Sequence, residues 1–415
     1  MISFWRIFWL ELTALARSKT WLMLALASVA WMLLFPRIMT GDGTVEGTRE
    51  LYIHYSLGGV FALLVMALLA SATGSIANER TAKRLQLTMI RPVRHCVIAL
   101  AKSLALLAVG VSVLLISAVI LYFDSDRSVV CSHVLSPVME SPRAEAEKMY
   151  QAYLKDPNVA DRIRHSKKSA VVRLLTQKAV DRYDTLATNS VTCWRFEGVQ
   201  GAVQPKVRMR FTNTFETRQE VRGTFVLGGA ETVVSNITQA VLTLPIAVGF
   251  GPCDNLSFRN EGKSALMLRP RRDLNLLVPA DAFGWNLIRA CLELTAILAL
   301  VIALGLFLSS GLGRPVALFV AFSALILSEM SPSVVEQYPD ELDAKFADRV
   351  GLYITRFAAE ITRPIATLSP LEPLSKDECI ETRDVARLLI VDLIALPIIF
   401  ALLAGFTMSR KTEEP

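Results

Sequence analysis

The sequence predicts an α-helical polytopic membrane protein with six transmembrane helices and an inserted extracytoplasmic α+β domain that ends in a β-sandwich. Of the 415 residues, 53% are hydrophobic, a balance that soluble domains rarely reach. The apolar residues gather in six stretches, most of them near the roughly 20 residues that a bilayer core requires. Between the third and fourth stretches lies a long segment in which apolar and polar residues alternate, as they do in half-buried strands.

The first predicted element is an amphipathic interfacial helix over residues 1–20. Trp5, Phe8 and Trp9 recur at helical spacing, and Arg17 lies on another face. A helix of this kind lies in the headgroup plane, with its aromatic side chains at the boundary of the membrane. An ordinary amphipathic helix buried within the protein is the alternative interpretation of the same pattern.

The first membrane half covers residues 21–123. Its predicted spans are 21–36, 56–78 and 96–122, and a basic amphipathic stretch at about 79–94 separates the last two. The first apolar stretch lacks an A-x-A-like cleavage site, so we expect it to be retained and not removed as a signal peptide.

The extracytoplasmic domain is predicted over residues 124–283, with a helical part followed by the sandwich. The segment from Pro142 to Leu186 is charged and helical in pattern. Val207, Met209 and Phe211 then alternate with basic residues, as on a strand with one buried face. Further runs of this kind, separated by turn residues, favour an antiparallel sandwich.

The cysteines of this domain allow one disulfide hypothesis. We single out Cys193 and Cys253 as a pair that an oxidising periplasm could join. The alternative, small buried thiols, explains the same residues. No metal site is predicted, because the six cysteines are scattered without metal-ligand spacing.

The second membrane half begins with spans four and five over residues 284–331, at 285–309 and 316–331. An extracytoplasmic loop with an amphipathic helix follows at 332–385. Residues 386–415 form span six and a cytoplasmic tail. If residues 316–331 are re-entrant, the 332–385 loop moves to the cytoplasmic side.

Lysine and arginine near the ends of the spans predict the orientation. Basic residues precede span one, fill the loop after span two, sit in the turn between spans four and five, and follow span six; they include Arg17, Arg80, Arg84, Arg314 and Arg410. With six spans, all of them lie on one side, which is cytoplasmic by the positive-inside rule. We therefore expect a multi-pass protein of the inner (cytoplasmic) membrane with both termini in the cytoplasm.

We single out three of the ionisable residues inside predicted spans, because such groups are costly there and therefore informative. Arg289 and Glu293 are four residues apart in span four, so they can pair along one helix face. Asp392 in span six has no obvious local partner beyond Arg387. A polar path or interhelical lock is the functional interpretation, and a structural ion pair near the interface is the alternative.

The sequence contains no complete catalytic motif. Gly262-Lys263-Ser264 matches the end of a phosphate-binding loop, but the glycine required earlier is replaced by Ser257. We therefore expect no enzyme and no cofactor in this chain. The net charge of +6 does not indicate nucleic acid, because the basic residues cluster beside apolar segments and not in one continuous patch.

The most informative segment is residues 79–102, which read ERTAKRLQLTMIRPVRHCVIALAK. This segment resembles the coupling-helix region of ABC-2 type transporter permeases, which runs roughly E-R-E-x-G-T-L-E-L-L-L-T-R-P-V-S-R-x-x-I-x-x-G-K. The matching positions are Glu79, Arg80, Leu85, Leu87, Arg91, Pro92, Val93, Ile98 and Lys102. Among the positions that depart from the pattern, Lys83 and Arg84 stand where the family usually has Gly-Thr, and His95 stands where it has Arg.

The resemblance implies six spans of ABC-2 permease type and a role in transport. The chain would form the translocation path of an ABC transporter, for export or mechanotransmission, as a homo- or heterodimer with a second permease subunit. A separate ABC ATPase subunit would hold ATP and Mg²⁺. The coupling helix at about 79–94 would touch that ATPase through Glu79, Arg80, Leu85, Leu87, Arg91 and Pro92.

Two alternatives remain open from the sequence. The basic stretch could be a positive-inside loop that binds anionic lipid. The whole chain could instead be a non-transport membrane sensor or assembly scaffold that presents the sandwich outside. In either case residues 124–283 are the part available to a periplasmic partner.

Overall fold

The computed structural model describes residues 2–38, 45–81, 94–125, 130–155, 168–197, 204–212, 220–227, 229–238, 241–246, 255–337 and 370–413. The chain forms two compact units. The helical unit comprises Met1–Val129 and Ala282–Pro415, and the inserted unit comprises Val130–Asp281.

The first part of the helical unit has four helices, α1 (Ile2–Ala16), α2 (Lys19–Ile38), α3 (Val45–Thr81) and α4 (His95–Asp124). Helices α1 and α2 are bent by 62° at the break between them. Trp5 and Trp9 on α1 are exposed and stack on each other, 6.5 Å apart. This exposed aromatic face is the one that the sequence predicts for an interfacial helix.

The inserted unit combines two helices with ten strands, β1 (Val130–Leu135) through β10 (Leu274–Ala282), and a short helical turn. In chain order the elements between β1 and β10 are α5 (Pro142–Lys155), α6 (Lys168–Val180), β2 (Asp184–Leu186), β3 (Val191–Arg195), β4 (Lys206–Arg210), β5 (Glu220–Leu227), β6 (Ala230–Ile237), β7 (Val241–Pro245), β8 (Asn255–Asn260), β9 (Leu266–Leu268) and α7 (Pro270–Asp273).

Two four-stranded sheets of this unit enclose one apolar core. Their strand orders are β1-β10-β4-β7 and β3-β8-β5-β6, and β2 pairs with β9 in a small third sheet. On β4, Val207 and Met209 are buried and Arg210 is exposed, as the alternation predicts. Side chains from both sheets, including Phe211, Phe225 and Phe258, meet in the same core, as they do in a sandwich.

Helices α5 and α6 have a small core of their own, formed by Ala146, Tyr150 and Leu175. An ionic network holds them beside α7. The Glu145 carboxylate accepts from Arg182 at 2.9 Å and from Arg271 at 2.8 Å. Burial alone would raise the pKa of Glu145, but these hydrogen bonds and charges outweigh it and lower the pKa below its ordinary value.

The helical unit is completed by α8 (Phe283–Gly311), α9 (Arg314–Gln337), α10 (Leu371–Ser375), α11 (Thr382–Leu388), a π-helical segment (Leu389–Ala395) and α12 (Leu396–Glu413). Helix α8 packs against α3, α4, α9 and α12 and is the most buried of the long helices. Gly305 allows this close packing, because a Cβ there would lie 2.8 Å from Cβ of Ala72 on α3.

Within the described ranges, four helical stretches are long and apolar enough to cross a membrane by length and composition, namely Gly47–Thr81, His95–Asp124, Phe283–Gly311 and Thr382–Ser409. They coincide with predicted spans two, three, four and six. The predicted first span lies in α2, which counts as a fifth only when taken together with α1 across the bend. The predicted fifth span lies in α9, whose apolar part, Arg314–Ile326, is shorter than a span.

The helical unit has two distinct ends. At one, which we call the Arg80 end, Arg80 meets the last residues of α8, and Gly405 of α12 lies against Cys96 of α4. At the other, the Arg49 end, Arg49 of α3 pairs with Asp377 at 3.2 Å. Helix α9 starts at the Arg80 end, because Arg314 lies beside Gly74. Arg314 and Asp377 therefore lie at opposite ends of the helical unit.

Candidate functional site

The candidate site is the Arg80 end of the helical unit, where the segment that resembles a coupling region begins. Glu79 and Arg80 lie in the last turn of α3. Lys102, the last residue of the matching pattern, lies on α4. The other predicted coupling residues, Leu85, Leu87, Arg91 and Pro92, lie outside the described residues.

Lys102 joins three helices through its ammonium group. Its Nζ atom lies 2.7 Å from Oε1 of Glu79 on α3 and also bonds the carboxylate of Glu11 on α1. The Lys102 side chain is only 3% exposed. A buried ammonium group needs such partners, because removing it from water without compensation is costly. The two carboxylates therefore tie α1, α3 and α4 together at this end.

Arg80 connects the same end of α3 to α8. Its Nη1 atom donates to the carbonyl of Ser310 at 3.1 Å, and Nη2 donates to the carbonyl of Leu312 at 2.8 Å. The last carbonyls of a helix have no donor within the helix and form the negative end of its dipole. The planar guanidinium satisfies two of them at once, so Arg80 caps the C-terminus of the central helix.

A further contact extends this network to α12. The Ser310 hydroxyl, whose carbonyl accepts from Arg80, shares a hydrogen bond with the hydroxyl of Thr407. Thus α1, α4, α8 and α12 connect, directly or through one residue, to the last turn of α3. The described contacts at this end are hydrogen bonds and ion pairs, through which a displacement of one helix can be transmitted to another. Among the described residues of this end, no nucleophilic side chain lies beside a general base.

The intramembrane pair predicted in α8 is replaced by a different contact. Among the described residues no ion pair joins Arg289 to Glu293. Nη1 of Arg289 instead donates to the carbonyl of Ile380 at 3.4 Å, and Glu293 is 3% exposed. Tertiary packing explains this contact, because the segment after α10 lies close to the N-terminal part of α8. The carbonyl of Ile380 in that segment can therefore accept a hydrogen bond from Arg289.

Asn286 is a residue that sequence reasoning missed. Its side-chain amide donates to the carbonyl of Glu378 at 2.8 Å and accepts from the N–H of Ile380 at 2.9 Å. The side chain is fully buried and fixes the 378–380 segment against α8. A lone amide near the start of an apolar stretch is the signal that could have indicated it.

Asp392 lies in the π-helical segment and is fully buried. Within the described chain, neither of its carboxylate oxygens has a hydrogen-bond partner.

The predicted disulfide concerns the other unit, where Cys193 is an exposed free thiol on β3 and Cys253 lies outside the described residues. The described residues contain no group of three metal-ligating side chains.

No protein-family model matches this chain, and neither a curated protein nor a solved structure matches it.

Proposed function

We propose that this chain is the permease subunit of an ABC transporter of the ABC-2 type. In this proposal it forms a translocation path across the cytoplasmic membrane and is driven by a separate ATPase subunit. The observation that carries the proposal is the position of Glu79 and Arg80. Both lie where the coupling-like segment begins, and both are bonded to other helices of the unit.

These bonds supply a physical route for coupling. A partner that moves the 82–93 segment pulls on the last turn of α3. Arg80 passes this displacement to the C-terminus of α8 through two hydrogen bonds. Glu79 passes it to α4 and α1 through the Lys102 ammonium group. Because packed helices are stiff and interfaces between them are bistable, a small local shift becomes a change in helix arrangement.

The proposed setting has both termini in the cytoplasm of a multi-pass inner-membrane protein. Arg314 begins α9 at the Arg80 end, and Arg410 follows the apolar stretch Thr382–Ser409, as expected for a cytoplasmic side. A partner ATPase would hold ATP and Mg²⁺, a second permease subunit would complete the path, and lipid would surround the apolar helices. Two kinds of work suit a permease with a large exterior unit. One is export of a substrate, and the other is mechanical work on a periplasmic partner that binds residues 130–281.

The test uses Leu85 and Leu87, two apolar residues of the segment that resembles a coupling helix. The full-length protein is coexpressed with the proteins encoded beside it, and copurification of a Walker-motif ATPase and its stimulation are measured in nanodiscs. Leu85→Asp with Leu87→Asp should abolish both, because an apolar face that enters a cleft tolerates no charge. The matched control, Val233→Asp with Val241→Asp, carries the same charges on two exposed valines of the inserted unit.

Two outcomes would contradict the proposal. One is full ATPase stimulation by the Leu85→Asp, Leu87→Asp variant. The other is a purified complex that contains a kinase or protease and no ATPase, which would favour a sensor or assembly scaffold.

A further inference from the structure

The most unusual polar group of the helical unit is the carboxyl group of Asp392. Its side chain is 0% exposed, and among the described residues neither oxygen meets a hydrogen-bond donor. Asp392 lies within Thr382–Ser409, one of the four stretches long and apolar enough to cross a membrane. Buried polar groups are normally hydrogen-bonded, so an orphaned carboxyl group at this depth requires an explanation.

The backbone around Asp392 is irregular as well. Residues Leu389–Ala395 are π-helical, and the N–H of Leu396 bonds the carbonyl of Val391, five residues earlier. Pro397 follows and has no N–H to donate to the carbonyl four residues before it. The wider turn accommodates the proline within a continuous helix. Segments of this kind occur frequently at functional sites.

Among the described residues, no cation pairs with the carboxyl group of Asp392. The charged residues on the packed elements are Arg289 and Glu293 on α8 and Arg383, Asp384 and Arg387 on α11. Helix α12 has no charged residue from Leu396 to Ser409.

Arg289 and Arg387 do not pair with the carboxyl group of Asp392. Arg289 donates to the carbonyl of Ile380. Arg387 is exposed and attracts Asp392 only through its field. Within the described chain Asp392 forms no ion pair. An ionised carboxylate here would be buried without a partner, and this costs several kcal/mol in a low-dielectric interior.

We propose that Asp392 is a proton-binding site within the membrane-embedded helices. The carboxyl group holds a proton in this arrangement of α8, α11 and α12, and it releases the proton to water when a rearrangement of α12 exposes it. The chain thus couples proton uptake to the packing of its last apolar helix. This inference goes beyond the coupling role and does not depend on the ATPase partner, since only the described helices enter it.

The test is chemical labelling of the full-length protein in phosphatidylcholine nanodiscs. Dicyclohexylcarbodiimide is apolar and reacts with protonated carboxyl groups: the acid O–H adds across a C=N bond, and the acyl group then migrates to nitrogen as a stable acylurea. Mass spectrometry should find this adduct on Asp392. Because the protonated fraction of a carboxyl group falls about tenfold per pH unit above its midpoint, labelling should fall with that slope.

Two variants and one spectrum complete the experiment. Asp392→Asn should remove the adduct, and the matched variant Asp384→Asn, in the same span but partly exposed, should leave labelling of Asp392 unchanged. The infrared carbonyl stretch of a protonated acid should be present in the wild type and absent from Asp392→Asn, which tests protonation without requiring reagent access.

The proposal is overturned if the infrared band is the same in both proteins between about pH 5 and about pH 8, the range in which a carboxyl group and a histidine ordinarily change charge. It is also overturned if sodium chloride abolishes labelling at constant pH and choline chloride does not. The carboxylate would then hold a metal cation and not a proton.

Discussion

The Nζ atom of Lys102 lies 2.7 Å from Oε1 of Glu79, so an ion pair closes the segment between them. The first residue of the coupling-like pattern is thereby joined to its last. The two residues belong to α3 and α4, and Glu11 on α1 completes the group. The segment between them is thus anchored at both ends to the helices that it would have to move.

A charge exchange separates the internal role of Glu79 from a role in binding a partner. Glu79→Lys alone places a second ammonium group beside Lys102, and we expect it to lower the free energy of unfolding by about 1–3 kcal/mol, because a partly buried charge loses its partner. Glu79→Lys with Glu11→Lys and Lys102→Glu reverses every charge of this group and should recover most of that loss. Thermal unfolding in nanodiscs measures both variants.

The Glu79→Lys variant and the exchange variant also test whether Glu79 takes part in coupling to an ATPase. If the exchange variant regains stability but not ATPase stimulation, Glu79 also contacts the ATPase. If the exchange variant is no more stable than Glu79→Lys, the Glu79–Lys102 pair does not stabilise the helical unit, and our account of the Arg80 end is wrong.

Arg80→Ala should loosen the C-terminus of α8. Loss of two charge-assisted hydrogen bonds leaves the carbonyls of Ser310 and Leu312 without donors, at about 1–3 kcal/mol. Hydrogen exchange followed by mass spectrometry should show faster exchange in peptides that cover the end of α8. Arg80→Lys should recover only part of the protection, because an ammonium group lacks the planar fork. Arg94→Ala, at an exposed arginine near the same end, is the control and should leave exchange unchanged.

The inserted unit should fold by itself. It has its own core, so residues 124–283 expressed alone should be soluble, with mainly β-structure and a smaller helical contribution in circular dichroism. A wholly helical spectrum would contradict the two-sheet architecture.

Glu145 should make that unit sensitive to acid. Its pKa is lowered in the folded state because the hydrogen bonds and charges of Arg182 and Arg271 outweigh the effect of burial. The carboxylate therefore contributes stability above its ordinary pKa of about 4.3, and the contribution is lost as pH falls through the lower folded value. Glu145→Gln should lower the melting temperature at neutral pH and reduce the further loss at about pH 3.

Glu147→Gln provides the comparison for Glu145. Glu147 pairs with Lys168, but both side chains are more than half exposed, and exposed pairs contribute about 0–1 kcal/mol. A melting temperature that changes equally in both variants would refute the special role of Glu145.

The orientation is testable at the two ends of the helical unit. In a background without native cysteines, Glu381→Cys at the Arg49 end should react with a membrane-impermeant thiol reagent applied from outside. Arg314→Cys at the Arg80 end should react only after permeabilisation. Both parent residues are exposed, so accessibility alone cannot explain a difference. Outside labelling of Arg314→Cys would reverse the proposed topology.

The sequence by itself determined the helices and the strand pattern, because both depend on local periodicity. Apolar stretches located four long helices, and the alternation of Val207 and Met209 with basic residues identified a strand with one buried face. Spacing along one element determines which face a residue occupies. It therefore located Asp392 on its helix without reference to any other part of the chain. It placed Glu79 and Arg80 at the start of a coupling helix at about 79–94, whereas the structure has both in the last turn of α3.

Only the tertiary structure decided what those residues touch. The carbonyls that Arg80 caps lie more than 200 residues away in sequence, and Lys102 meets Glu11 because α1 packs along α4. Arg289 illustrates the same limit. Its spacing from Glu293 permits a pair within one helix, yet the carbonyl of Ile380 binds it instead. A side chain selects among the partners that the fold brings within reach, and local spacing specifies only those on its own helix.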